Sequence, residues 1–158
     1  MKTTLLTVLT IIFAVTVSLT YAQTLPRWAY ESNASSSGKG TNFYAVNGSS
    51  QGRSRMSGTT TYHDESSGAS AGRSVTNGST TSHYNPNGSL AGRSVTRGST
   101  TYHYNANGSL VGKAVTNGST TNFYNANGSS AGRGVANGST TNFYKSNGSF
   151  AGRSQGGR

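Results

Sequence analysis

A cation recurs every 20 residues along this chain, directly after a glycine, and tyrosine recurs at the same interval. The candidate binding residues are Arg53, Arg73, Arg93, Lys113, Arg133, Arg153, Tyr84, Tyr104, Tyr124 and Tyr144. Guanidinium groups pair well with carboxylates and phosphates, and aromatic rings beside them stack on sugars or bases. The pattern predicts many weak contacts to an anionic polymer, either a polysaccharide or extracellular DNA. The alternative is that one cation per unit only maintains solubility.

Histidine could support metal or acid–base chemistry, but its placement favours neither. His63, His83 and His103 share one position of the period, which phenylalanine occupies in other units. In an antiparallel sheet they would lie about 9.6 Å apart, whereas a zinc–nitrogen bond is about 2.0–2.1 Å. Asp64 follows His63, so the two side chains would point to opposite faces of a strand. We therefore expect no metal, no cofactor, no catalytic residue and no small-molecule substrate, and hence no enzyme.

The elements that position these residues follow from the 20-residue period, which is typical of a repeat array. In the fourth unit, Thr and aromatic residues before Asn107-Gly108 suit a strand, and Asn-Gly favours a two-residue type I′ turn. A second strand then runs to Asn117-Gly118, the next turn. Each unit thus divides into two eight-residue strands and two turns.

This register predicts which residues share a face of the sheet. It places His103 opposite Gly112, Tyr104 opposite Val111, and Val111 opposite Tyr124. One face then carries tyrosine, valine and the cations, and the other carries the His/Phe position, the glycine and Leu110. We expect the aromatic ring to cover the glycine opposite it.

The composition limits how the strands can be assembled. Large apolar side chains are scarce and cysteine is absent, so neither a thick core nor a disulfide supports the fold. The prediction is an all-β fold, an antiparallel β-hairpin repeat array of six 20-residue repeats. It would form a single-layer meander or a gently coiled β-solenoid, or copies would pair through their sheet edges.

Two motifs in the repeat resemble known families. Gly98-Ser99-Thr100-Thr101 with Tyr104-Asn105-Ala106-Asn107-Gly108 resembles the YD (Rhs-type) repeat, with asparagine in place of aspartate. Phe123-Tyr124-Asn125-Ala126-Asn127-Gly128-Ser129 is similar to the choline- and glucan-binding repeats of cell-wall-binding modules. Both resemblances cover residues 39–158, and both imply β-hairpins on an exported, bacterial protein.

The chain divides into three segments. Residues 1–22 have a basic start, an apolar run from Leu5 to Val17 and small residues before Gln23, which predicts a signal peptide cleaved after Ala22. Residues 23–38 form a lead and linker, and residues 39–158 form the six-repeat domain. Without residues 1–22 the chain contains 12 Lys and Arg residues and three acidic residues, which gives a formal charge of +9.

The sequence thus predicts a secreted, periplasmic or cell-surface protein. The first hypothesis is a non-enzymatic structural or adhesive component of the surface or matrix. The second is a module that binds anionic wall glycan or nucleic acid through the Arg/Tyr face. The third is a fibre subunit that self-associates through sheet edges.

Overall fold

Twelve β-strands make up the part of the chain that the computed structural model describes, residues 40–156. The predicted signal peptide and the whole predicted lead, residues 23–38, lie outside the described residues. No helix in the described range is long and apolar enough to cross a bilayer. The strands are β1 (Thr41–Tyr44), β2 (Ser50–Ser57), β3 (Thr60–Glu65), β4 (Ser70–Asn77), β5 (Thr80–Tyr84), β6 (Leu90–Arg97), β7 (Thr100–Asn105), β8 (Leu110–Asn117), β9 (Thr120–Asn125), β10 (Ser130–Asn137), β11 (Thr140–Lys145) and β12 (Phe150–Gly156).

The strands form one antiparallel sheet that closes into a barrel, because β1 pairs with β12. The all-β, hairpin-linked prediction is confirmed, but the expected open meander or coiled solenoid is wrong. The closing pair places Tyr44 opposite Arg153. The internal pair β10–β11 places Tyr144 opposite Arg133. The first and last strands therefore meet in the register of an internal hairpin, and closure satisfies both edges of the sheet.

The two turns of a unit differ, and the prediction of two Asn-Gly type I′ turns is wrong. Asn117 pairs with Thr120, so the loop between β8 and β9 is Gly118-Ser119. Gly118 has φ 57°, the positive φ that the first central position of a two-residue hairpin turn of type I′ or II′ requires. At the other end of the barrel, the Asn105 carbonyl accepts a hydrogen bond from the Gly108 amide at 3.0 Å. That loop has three residues, and Gly108 supplies the positive φ of 82°.

A β-bulge follows each three-residue loop and restores the pairing that the extra loop residue displaces. Tyr104 pairs with Leu110 and His103 with Gly112, so Val111 is the inserted residue. The expected opposition of Tyr104 and Val111 is therefore wrong, and Leu110 joins the tyrosines on the outside. Among the equivalents of Val111, Ala71, Ala91 and Ala151 are buried, whereas Leu90 and Leu110 are exposed.

The interior is lined by rings on odd-numbered strands and by small residues on even-numbered strands. The expected pairing of ring and glycine is confirmed, for example between His103 and Gly112 and between Phe123 and Gly132. Phe123 and Phe143 are fully buried and pack with Ala114 and Ala151. The core is therefore thin, built from rings laid over glycine backbone.

Candidate functional site

The six predicted cations lie on the outer surface of the barrel, one on each even-numbered strand. We call this set the cation belt: Arg53, Arg73, Arg93, Lys113, Arg133 and Arg153. Lys113 is half-buried and the arginines are exposed. Neighbouring members lie two strands apart, about 9.6 Å. Since the sheet is closed, the belt runs around a circumference, and a straight polymer segment contacts neighbouring cations rather than the whole set.

Five cations of the belt lie over a tyrosine ring of the next strand. The distances from the charged group to the ring centroid are 4.9 Å for Arg73–Tyr84, 5.3 Å for Arg93–Tyr104, 5.5 Å for Lys113–Tyr124, 5.1 Å for Arg133–Tyr144 and 5.4 Å for Arg153–Tyr44. Such contacts contribute about 0.5–1 kcal/mol each at exposed sites. The structure thus brings the predicted cations and tyrosines together.

The cation and tyrosine meet because the short loop is centred one residue later than predicted. Val111 and Gly112 were expected opposite Tyr124 and Phe123, but Lys113 and Ala114 occupy those places. A shift of two residues leaves each side chain on its predicted face. It moves the cation directly opposite the ring.

Tyr44 is a tyrosine partner of the cation belt that the sequence reasoning missed. Its partner, Arg153, is 109 positions away in the chain, and the contact exists only because β1 pairs with β12. The available signal was the period itself, since Phe43-Tyr44 repeats Phe143-Tyr144.

Arg53 differs from the other cations because Asp64 replaces the tyrosine opposite it. The Arg53 Nε lies 3.1 Å from Asp64 Oδ2, and the Arg55 Nη2 lies 3.0 Å from the same oxygen. Asp64 is buried at 8% exposure, so one shielded carboxylate holds two guanidinium groups. The Asp64 carboxylate therefore compensates one of the two positive charges in this part of the belt.

The remainder of the described chain carries only positive charge. After Glu65, residues 66–156 contain no acid. They contain seven cations: Arg73, Arg93, Arg97, Lys113, Arg133, Lys145 and Arg153. The field outside β4–β12 is thus positive, which attracts polyanions.

One further cation–ring contact lies outside the cation belt, nearer the two-residue Gly-Ser loops, and the sequence reasoning missed it. The Arg97 guanidinium lies 5.9 Å from the Tyr102 ring centroid. Asn77, Asn117 and Asn137 hold the equivalent position of Arg97 in other units. That departure from the period was the signal available in the sequence.

Inside the barrel, the three histidines are joined through serine hydroxyls. This buried Ser–His chain consists of Ser54, His63, Ser74, His83, Ser94 and His103. Along it, the serine Oγ to imidazole nitrogen distances are 2.8, 2.9, 2.8, 2.7 and 2.8 Å. Ser74 and Ser94 each join the Nε2 of one histidine to the Nδ1 of the next, and Ser54 contacts only the Nδ1 of His63.

The Ser–His chain gives the histidine position a structural role. Asp64 points outward to the arginines while His63 points inward to serine, so the predicted separation of these side chains is confirmed. Burial lowers the pKa of His103 to about 3, and the charge of His83 adds to the shift. His103 is therefore neutral at physiological pH.

Comparison with known proteins adds no family to this description. No protein-family model matches the chain, and no curated protein matches it as a relative. The resemblance to YD/Rhs-type and choline- or glucan-binding repeats stays a prediction from the motifs quoted above.

Proposed function

We propose that this chain is an exported, non-enzymatic adhesive protein of the cell surface or matrix that holds an anionic polymer on the outside of its barrel. The observation that carries the proposal is the row of cation–tyrosine pairs around β4–β12, unopposed by any acid in residues 66–156. A solubility role requires dispersed charge but gives no reason for five of the six belt cations to lie over a ring.

The cation–tyrosine pair suits weak, repeated binding. The ring restrains the long side chain, so less conformational entropy is lost when an anion binds. Each exposed contact contributes about 0.2–1 kcal/mol. Two or three neighbouring contacts on one polymer add through effective concentration, and a long polymer reaches further pairs by curving around the barrel.

Of the three hypotheses, the edge-to-edge fibre is the one that the strand pairing supports least. It depended on open sheet edges, and every strand from β1 to β12 in the described part of the chain is paired on both sides. An unpaired row of backbone amides and carbonyls is what recruits another copy, and the closed barrel removes it.

Isothermal calorimetry tests the proposal. It measures the binding of the chain lacking residues 1–22 to polygalacturonate over a range of salt concentrations. We expect binding at low salt that weakens as salt screens the exposed charges. The variant R73Q/R93Q/K113Q/R133Q should lose nearly all of it. R53Q is the matched control, because Arg53 is already paired with the Asp64 carboxylate. Absence of binding at low salt, or binding by the quadruple variant equal to that of wild type, would leave solubility as the role of the belt.

A further inference from the structure

We propose that an acidic polysaccharide binds preferentially at one segment of the barrel, the two-row patch on β6–β8. The patch consists of Arg93, Arg97, Lys113, Tyr102 and Tyr104. This inference rests on the proposed function and adds to it the class of polymer and the location of its site.

Three cations surround two tyrosines on these adjacent strands. Arg93 and Arg97 lie four residues apart on β6 and therefore on the same face, about 13 Å from each other. Tyr104 lies opposite Arg93 in the sheet, and Tyr102 lies opposite Lys113. Arg97 reaches Tyr102 diagonally, at 5.9 Å from the ring centroid. A polymer crossing β6–β8 thus meets charge along the strands as well as across them.

The rest of the barrel lacks this combination. At the position of Tyr102, other units carry Ser82, Asn122 and Asn142, and the one further tyrosine is Tyr62. Tyr62 lies opposite Arg55 in the sheet. However, Asp64 holds both Arg53 and Arg55. Tyr62 also lies opposite Arg73 on β4, so the β2–β4 counterpart of the patch keeps one cation outside the Asp64 pairing, whereas all three cations of the β6–β8 patch are without a carboxylate partner among the described residues.

The surface chemistry favours an acidic polysaccharide over a nucleic acid. Base stacking needs bare ring faces and a groove that follows the backbone. Here a cation covers each tyrosine of the patch, and each ring is half-buried on a convex wall. Arginine instead presents paired donors to carboxylate or sulfate groups. Exposed Leu110, opposite Tyr104, offers an apolar contact for the C–H face of a sugar.

The substitution R97N tests the location, because asparagine is the residue that three other units carry at this position. R133Q is the matched control, since it removes one charge from a single-row cation–tyrosine pair. Short oligogalacturonates, too short to encircle the barrel, should be titrated by calorimetry at low salt. We expect R97N to weaken binding about five-fold, as for loss of about 1 kcal/mol at an exposed charged contact. R133Q should change it by less than about two-fold.

The outcomes separate this inference from the proposed function. If wild type binds but R97N and R133Q weaken it equally, the belt is uniform and the patch is overturned while the proposed function stands. If wild type binds no oligogalacturonate and no polygalacturonate, both fail. If single-stranded DNA of equal charge binds more tightly and is equally sensitive to R97N, the polysaccharide assignment is overturned.

A second variant tests the same inference by gain of binding. D64N releases Arg53 and Arg55 beside Tyr62 and should raise the number of oligosaccharides bound per barrel. Backbone amide shifts induced by the ligand in wild type should be concentrated on β6–β8, and in D64N also on β2–β3. Shifts spread evenly around the wild-type belt would contradict the proposal. Circular dichroism and the thermal midpoint of each variant verify that the barrel is intact.

Discussion

Replacing Ser74 by alanine is expected to destabilise the barrel by at least about 2 kcal/mol. Its hydroxyl joins two buried imidazoles, 2.9 Å from His63 Nε2 and 2.8 Å from His83 Nδ1. Leaving one buried polar group without its partner costs about 1–3 kcal/mol. Removal of this single oxygen affects two such groups, and alanine fills the same space apart from the hydroxyl.

Two other buried serines provide graded controls for that prediction. Ser54 contacts one imidazole, the Nδ1 of His63 at 2.8 Å. Ser154 lies opposite Phe43 rather than a histidine. All three serines are less than 9% exposed. The losses should therefore follow the number of imidazole contacts, with S74A above S54A and S54A above S154A.

Equilibrium urea unfolding at pH 8, monitored by circular dichroism, measures the three losses. At this pH His103 is neutral in the folded and unfolded chain alike, since its pKa is about 3 when folded and 6.5 in the reference state. Titration of His103 therefore does not contribute to the three losses at this pH. A loss for S74A within about 0.5 kcal/mol of that for S154A would refute the reasoning, because the hydroxyl would then contribute nothing through the imidazoles.

Two further predictions concern the same interior. Because the pKa of His103 is lowered to about 3 on folding, the unfolded chain binds more protons between pH 6.5 and 3. The free energy of unfolding should therefore fall as pH is lowered through this range, by up to about 1.4 kcal/mol per pH unit for this histidine. H103F should reduce the slope in urea titrations from pH 8 to 4, and a flat wild-type profile would contradict the assignment. G92A should destabilise the barrel by more than about 1 kcal/mol, because its Cβ would overlap the Tyr104 carbonyl on the neighbouring strand. In G134A the new Cβ would meet side-chain atoms alone, the Phe143 ring at 3.2 Å and Thr141 Cγ2 at 3.4 Å, and Ala114 already occupies the equivalent place. Similar losses for the two variants would therefore count against the clash.

Local patterns were sufficient to predict the order of the strands and the faces of the rings and the cations. They did not predict the length of the odd-numbered strands, which have four to six residues rather than eight, or the outward position of Leu110. Alternation along each strand placed the His/Phe rings on one side and the cations on the other, because side chains of a strand alternate in direction. The ring opposite glycine was predictable for the same reason. Even an error of two residues in the second hairpin left these faces unchanged, since the side-chain period is two.

The local sequence pattern was not sufficient to predict the conformations of the two turns in each unit. Asn107-Gly108 and Asn117-Gly118 are the same dipeptide, yet one belongs to a three-residue loop and the other borders a Gly-Ser loop. The bulge at Val111 compensates the longer loop, so both turns fit the same 20-residue count. A count of residues therefore cannot separate them.

The sequence was sufficient to predict the Ser–His contacts within each hairpin but not those between hairpins. Ser54, Ser74 and Ser94 each precede a histidine by nine residues, whereas Ala114 and Gly134 precede phenylalanine. That covariation indicates a contact within one hairpin. The second contact, from His63 to Ser74, crosses to the next hairpin and requires the correct register of both.

Closure was decided by the tertiary structure alone. Each strand pair contributes a twist and a coil that are small and similar, and only their sum over twelve strands determines whether the first strand reaches the last. The sequence by itself determined the strands, their faces and the repeated cation. The pairing of β1 with β12 brings Tyr44 to Arg153, turns the cation row into a belt and buries the histidines, because these contacts join residues that no local pattern connects.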